Sequence, residues 1–127
     1  MISVTVHYTA NLGPEAEIPA LLRKLAIRLR EATPGDDPVL AGAVRIAEYV
    51  TSGDDDWASA AGVLSVPAAE AERFRAGVLG DLFTIADNHF TGLYARRSIA
   101  VSFEFTPVAA DNLIERLHHA DPAVDSF

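Results

Sequence analysis

The chain has 127 residues and a mass of 13.6 kDa, which is enough for one domain over residues 1–127 and no second. Its 10 Lys+Arg stand against 18 Asp+Glu, a net charge of −8 with no basic face for nucleic acid, and the absence of cysteine excludes disulfides, thiolate zinc sites and cysteine nucleophiles. No apolar run approaches a membrane span and the N-terminus lacks a signal peptide's architecture, so an acidic cytoplasmic domain without membrane partners is expected; hydrophobic residues at 50% and a mean hydropathy of +0.17 supply its core.

The first segment alternates strictly, with Ile2, Val4, Val6 and Tyr8 on one face and Ser3, Thr5 and His7 on the other. Period two with β-branched residues predicts a half-buried strand. Asn11-Leu12-Gly13-Pro14 breaks it with turn chemistry. A helix is predicted from Ile18 to Ala32, with Ile18, Leu21, Leu22, Leu25 and Leu29 inward and Pro19 tolerated in its first turn. Thr33-Pro34-Gly35 ends it.

A second strand is predicted from Gly42 to Val50, then a turn over Ser52 to Asp56, then a third strand from Trp57 to Ser65. Ser65 as N-cap and Pro67 in the first turn would open a second long helix, buried along Phe74, Val78, Leu82, Phe83, Ala86 and Phe90. Ser98 to Phe105 alternates as a last strand that Pro107 stops, and a short helix is expected from Ala110 to His119. The order is a doubled β-α-β unit, α+β in class, with four strands forming one sheet and two helices on one face. Apolar residues on the uncovered face would need another subunit, so an oligomer is expected.

The four histidines offer little metal chemistry. His118 and His119 are adjacent, so on a helix they diverge by about 100° and cannot share one ion. His89 lies at the end of the second helix, where a cation favours the dipole, and reads as a cap, and His7 lies on the first strand's polar face. Asp54 to Asp56 lack EF-hand spacing. No phosphate-cradling glycine loop and no nucleophile elbow is present. Arg45, Arg73, Arg75, Arg96 and Arg97 are the cations that could meet an anionic substrate; each singly also fits a surface ion pair.

Val6-His7-Tyr8, Asn11-Leu12 and Ile18-Pro19 with Leu21 resemble the opening of the 5-carboxymethyl-2-hydroxymuconate isomerases, a branch of the tautomerase superfamily. His89-Phe90, Arg97 and the strand Ala100-Val101-Ser102-Phe103-Glu104 are similar to that family's other well-marked stretch. The resemblance covers nearly the whole chain. It implies the tautomerase β-α-β repeat, a homotrimer with sheets facing inward, and cofactor-free keto–enol isomerisation of a small unsaturated organic acid. It further implies an N-terminal proline as base, and arginines that hold carboxylates and stabilise the enolate.

The chain departs from that pattern at the chemistry. Ile2 takes the proline's place and is too large to permit removal of Met1, so the free amine is primary and lies one residue, about 3.5 Å, further out. The family's arginines on the second strand fall on Val44 and Ile46, with Arg45 between them on the opposite face unless a bulge intervenes. Arg75 matches a family arginine near the second helix, another falls on Glu70, and the tail motif is only echoed around Asn112. The expected site is therefore Met1 and Ile2 at the base position, Arg45 or Arg75 holding the carboxylate, and Phe103 lining the pocket, with no metal and no cofactor. Two alternatives stay open: a different base, His7 or Glu48, or a non-catalytic trimer that binds a small acid.

Overall fold

The computed structural model describes residues 1–53, 56–118 and 120. Strand β1 (Ile2–Thr9) is followed by a 3-10 turn (Pro14–Ala16), helix α1 (Ile18–Ala32), β2 (Val39–Ile46) and β3 (Ala58–Pro67). A 3-10 turn (Ala68–Glu70) then leads into α2 (Ala71–Gly77) and α3 (Leu79–Phe90), and a further turn (Thr91–Leu93) precedes β4 (Ile99–Val108). The strands form one sheet in the order β2-β1-β3-β4. β1 pairs parallel with β2 and antiparallel with β3, while β3 pairs parallel with β4. Each half is thus a β-α-β unit with its crossover helix on the same face, the α+β arrangement expected from the alternating patterns.

Register decides which residues enter the core. Val4 is opposite Ala41 and Leu64, and Val6 is opposite Ala43 and Gly62, so these positions share the helix-covered face. Ile2, Val4, Val6, Ala60, Leu64 and Val66 are buried there against Leu21, Leu25 and Leu29 of α1 and Phe74, Leu82 and Phe90 of α2 and α3. Burying a side chain of this size contributes about 1.5–3 kcal/mol each. The other face carries Ser3, Thr5, His7, Leu40, Val44, Ala61 and Val63, and no element among the described residues covers it.

Several expected bounds moved. The second strand starts at Val39, three residues before Gly42, because it pairs in register from Ile2↔Val39, and it ends where β1 ends, at Thr9↔Ile46. β3 runs past Ser65, which lies between Ser3 and Thr106 in the ladder and therefore caps nothing. β4 continues through Pro107 to Val108, which an edge strand tolerates because one row of its N–H groups has no strand to meet. The second long helix is interrupted at Val78 (φ −118, ψ −40), between Gly77 and Gly80, which weaken the helix there. The bonds Val78 N–H to Phe74 O (2.9 Å) and Leu82 N–H to Val78 O (3.0 Å) still bridge the break.

The helix expected from Ala110 to His119 is a single 3-10 turn at Ala110–Asn112, and residues 113–118 have no regular structure. Ile114 and Leu117 are exposed, so no apolar face pins so short a segment as a helix. Asp54, Asp55 and His119 lie outside the described residues.

Candidate functional site

At the start of β1, Met1 and Ile2 part company. The Ile2 side chain is buried in the core and its amide N–H donates to the Pro38 carbonyl at 3.3 Å, so its nitrogen belongs to the sheet's edge bonding. The Met1 ammonium stands outside and is paired with the Glu115 carboxylate, brought there by the irregular segment that follows β4. Two adjoining cavities meet at this amine. One of about 140 Å³ lies between Ile2, Asp37, Pro38, Pro67 and Glu70, and one of about 310 Å³ lies between Pro38, Glu115, Arg116 and Leu117. A cation, a carboxylate and an apolar wall thus converge where β1 begins, beside the end of β3.

The remaining expected residues lie elsewhere in the single chain. The β1–β2 register is unbroken from Ile2↔Val39 to Thr9↔Ile46, so no bulge turns Arg45. Arg45 is the register partner of Tyr8 and projects on the helix side, while Val44 and Ile46 face the uncovered side. It lines a cavity at the far end of β1, separated from Met1 by the strand's eight residues, about 25 Å. Arg75 on α2 is held by Glu72. Phe103 lies over Gly62 on the helix side, in the core layer rather than at the Met1 cavities. One chain therefore brings Met1 and Ile2 together, but not these with Arg45, Arg75 or Phe103.

The alternative bases are separate too. His7 stands between Val44 and Ala61 on the uncovered face and, like Glu48, lines none of the cavities described here. His89 is structural: its Nε2 lies 2.8 Å from the Ala16 carbonyl and its Nδ1 2.9 Å from Lys24 Nζ. The carbonyl can only accept and the ammonium only donate, so Nε2 carries the proton and Nδ1 accepts. That bridge fastens the end of α3 to the turn before α1. Asn11 does similar work, donating from Nδ2 to Asp56 Oδ1 (3.1 Å) and to the Trp57 carbonyl (3.0 Å). Among the described residues no group of three or more His, Asp or Glu comes together as metal ligands.

Glu115, Arg116 and Pro38 escaped the sequence reading. No spacing rule links residue 115 to residue 1, and the expected tail helix would have aimed Glu115 elsewhere.

The sequence and the fold both have counterparts among known proteins. The sequence profile of the family described as 5-carboxymethyl-2-hydroxymuconate isomerase matches residues 3–117. Among solved structures, a 5-carboxymethyl-2-hydroxymuconate isomerase from Deinococcus radiodurans R1 is similar at 26% identity and a TM-score of 0.80, covering 92% of this chain and 90% of that one. A 5-carboxymethyl-2-hydroxymuconate delta-isomerase is similar at 16% identity and a TM-score of 0.76, covering 94% and 89%. A fused 4-OT described as a wild-type symmetric trimer shares the fold at 18% identity and a TM-score of 0.56, covering 87% and 94%. Among curated proteins, none matches.

Proposed function

The chain belongs to the 5-carboxymethyl-2-hydroxymuconate isomerase family, and on that premise we propose a cofactor-free keto–enol isomerase of a small unsaturated carboxylate, acting where β1 begins. The observation that carries this is the convergence of the Met1 amine, Glu115 and Arg116 on apolar cavities lined by Pro38 and Leu117. Arg116 and the Met1 ammonium would draw in the substrate's carboxylate. Passing one proton from the ammonium to Glu115 frees the amine's lone pair. The amine then takes a proton from the carbon beside the carbonyl; the C–H electron pair becomes a carbon–carbon double bond, and the carbonyl π pair moves onto oxygen as an enolate. Arg116 opposes the new charge, and the same amine returns the proton to the far carbon. No cofactor enters this balance. Arg75 would have to leave Glu72 to take part, and Phe103 would have to leave Gly62.

We propose a homotrimer as the working assembly. Leu40 and Val44 are exposed on the uncovered sheet face, and the fused structure of similar fold is described as a symmetric trimer.

One observation favours a second function, a non-catalytic trimer that binds a small acid. The Met1 ammonium already has a carboxylate partner in the folded chain and would have to give up a proton to act as a base, whereas Arg116 is a cation throughout and can hold an anion with no proton transfer. Ultraviolet turnover of a 2-hydroxymuconate-type acid, wild type beside Ile2→Pro with its Met1 removed, separates the two. A base displaced by one residue should run about 100-fold slower than the restored proline. Wild-type turnover abolished by acetylation of the N-terminus supports the enzyme. A silent wild type that still binds the acid saturably supports the binding protein, and silence without binding overturns both.

A further inference from the structure

The cavity at the opposite end of β1 has a chemistry of its own. It measures about 470 Å³, within the range of small-molecule sites, and lies between the C-terminal ends of β1 and β2 and the first turn of α1. Its polar groups are Arg45, Tyr8 and Glu17; Leu12, Ile18 and Pro19 supply apolar wall. Tyr8 and Arg45 are register partners on neighbouring strands about 4.8 Å apart, so both side chains leave the sheet on one face, and both line this cavity.

The charges in this cavity are uncommitted. Arg28, Arg73, Arg75 and Arg97 each hold a carboxylate, whereas among the described residues Arg45, like Arg23 and Arg96, makes no ion pair or side-chain hydrogen bond, and of these three only Arg45 lines this cavity. Neither does Glu17, and the two do not pair with each other although they line the same space. Glu17 has a left-handed backbone (φ 47, ψ 53) and is the one described non-glycine residue with positive φ. That conformation costs roughly 1 kcal/mol or more, and here it places a carboxylate on the cavity's rim.

We propose that this cavity binds a small zwitterion, an α-amino acid with an apolar side chain. Arg45, with Tyr8 beside it, holds the carboxylate; Glu17 holds the ammonium; the side chain lies on Leu12, Ile18 and Pro19. A dicarboxylate would meet Glu17 and a simple amine would meet Arg45, each with like charge. Only a ligand bearing both signs satisfies both residues, and a 470 Å³ space is too small for a folded partner.

The test is a titration of the isotope-labelled full chain with L-leucine, followed by amide chemical shifts, beside 4-methylpentanoate and 3-methylbutylamine. Saturable shifts at Gly13, Ile18 and Arg45 are expected, with each single-charge compound weaker by about fivefold or more. Arg45→Gln and Glu17→Gln should each weaken L-leucine about tenfold, a lost charge-assisted contact in either case. Glu17→Gly, which relieves the positive φ, should lose binding while retaining the fold. Ile2 and Asp37 should not shift, so the outcome is read separately from turnover at Met1. Absence of saturable shifts overturns the proposal, as does equal binding of 4-methylpentanoate that Glu17→Gln leaves unchanged.

Discussion

Tyr94 shows how far one residue's surroundings can move its chemistry. Its hydroxyl donates to Asp87 Oδ1 at 2.7 Å, and partial burial first, then that hydrogen bond and the carboxylate's charge, push its pKa up to about 12. The raised value favours the neutral phenol in the folded chain. Its contribution to stability is therefore complete below pH 10, the ordinary tyrosine value, and is lost as pH rises from there towards about 12. Ultraviolet titration of phenolate should show a step near pH 12 that Tyr94→Phe removes. At the same scale, sequence alternation already separated Arg45 from Val44 and Ile46, because period two is local and register kept it. The pairing of Met1 with Glu115 was not legible, since it depends on an irregular segment returning to the start of β1.

At the scale of elements, periodicity found every strand and α1, whose ends match Ile18 and Ala32, while neighbours set the remaining bounds. The alanines and glycine at residues 41–43 carry little strand preference of their own, and they are strand because β1 pairs with them. Gly77 and Gly80 were visible, but the break at Val78 that they permit was hidden by an otherwise continuous buried stripe through Phe74, Val78 and Leu82. At Gly62 the Phe103 ring of β4 lies directly against the β3 backbone. A Cβ built there would lie 2.3 Å from the Phe103 ring, far inside contact distance. Gly62→Ala should cost about 2 kcal/mol in urea unfolding, and Phe103→Leu in the same chain should recover part of that by making room. Equal stability of Gly62→Ala and wild type would show that the ring moves aside freely.

For the whole molecule, the proposed trimer rests on the uncovered sheet face. Leu40 is 52% and Val44 47% exposed in the single chain, an apolar surface without an internal partner. Light scattering at micromolar concentration should return three times the 13.6 kDa chain mass. Val44→Lys should shift it towards the single chain, because assembly would bury an unpaired ammonium. A wild type that scatters as one chain would remove the trimer. The same sheet also shapes how the chain finds its structure. β1 and β3 stand at its centre, and Val4 meets Leu64 there across most of the intervening first half. Each β-α-β unit closes its parallel strand pair over about 40 residues of chain, and with both units formed the seam between β1 and β3 is bridged only by the connection from Ile46 to Ala58, so joining the halves adds little loop-closure cost.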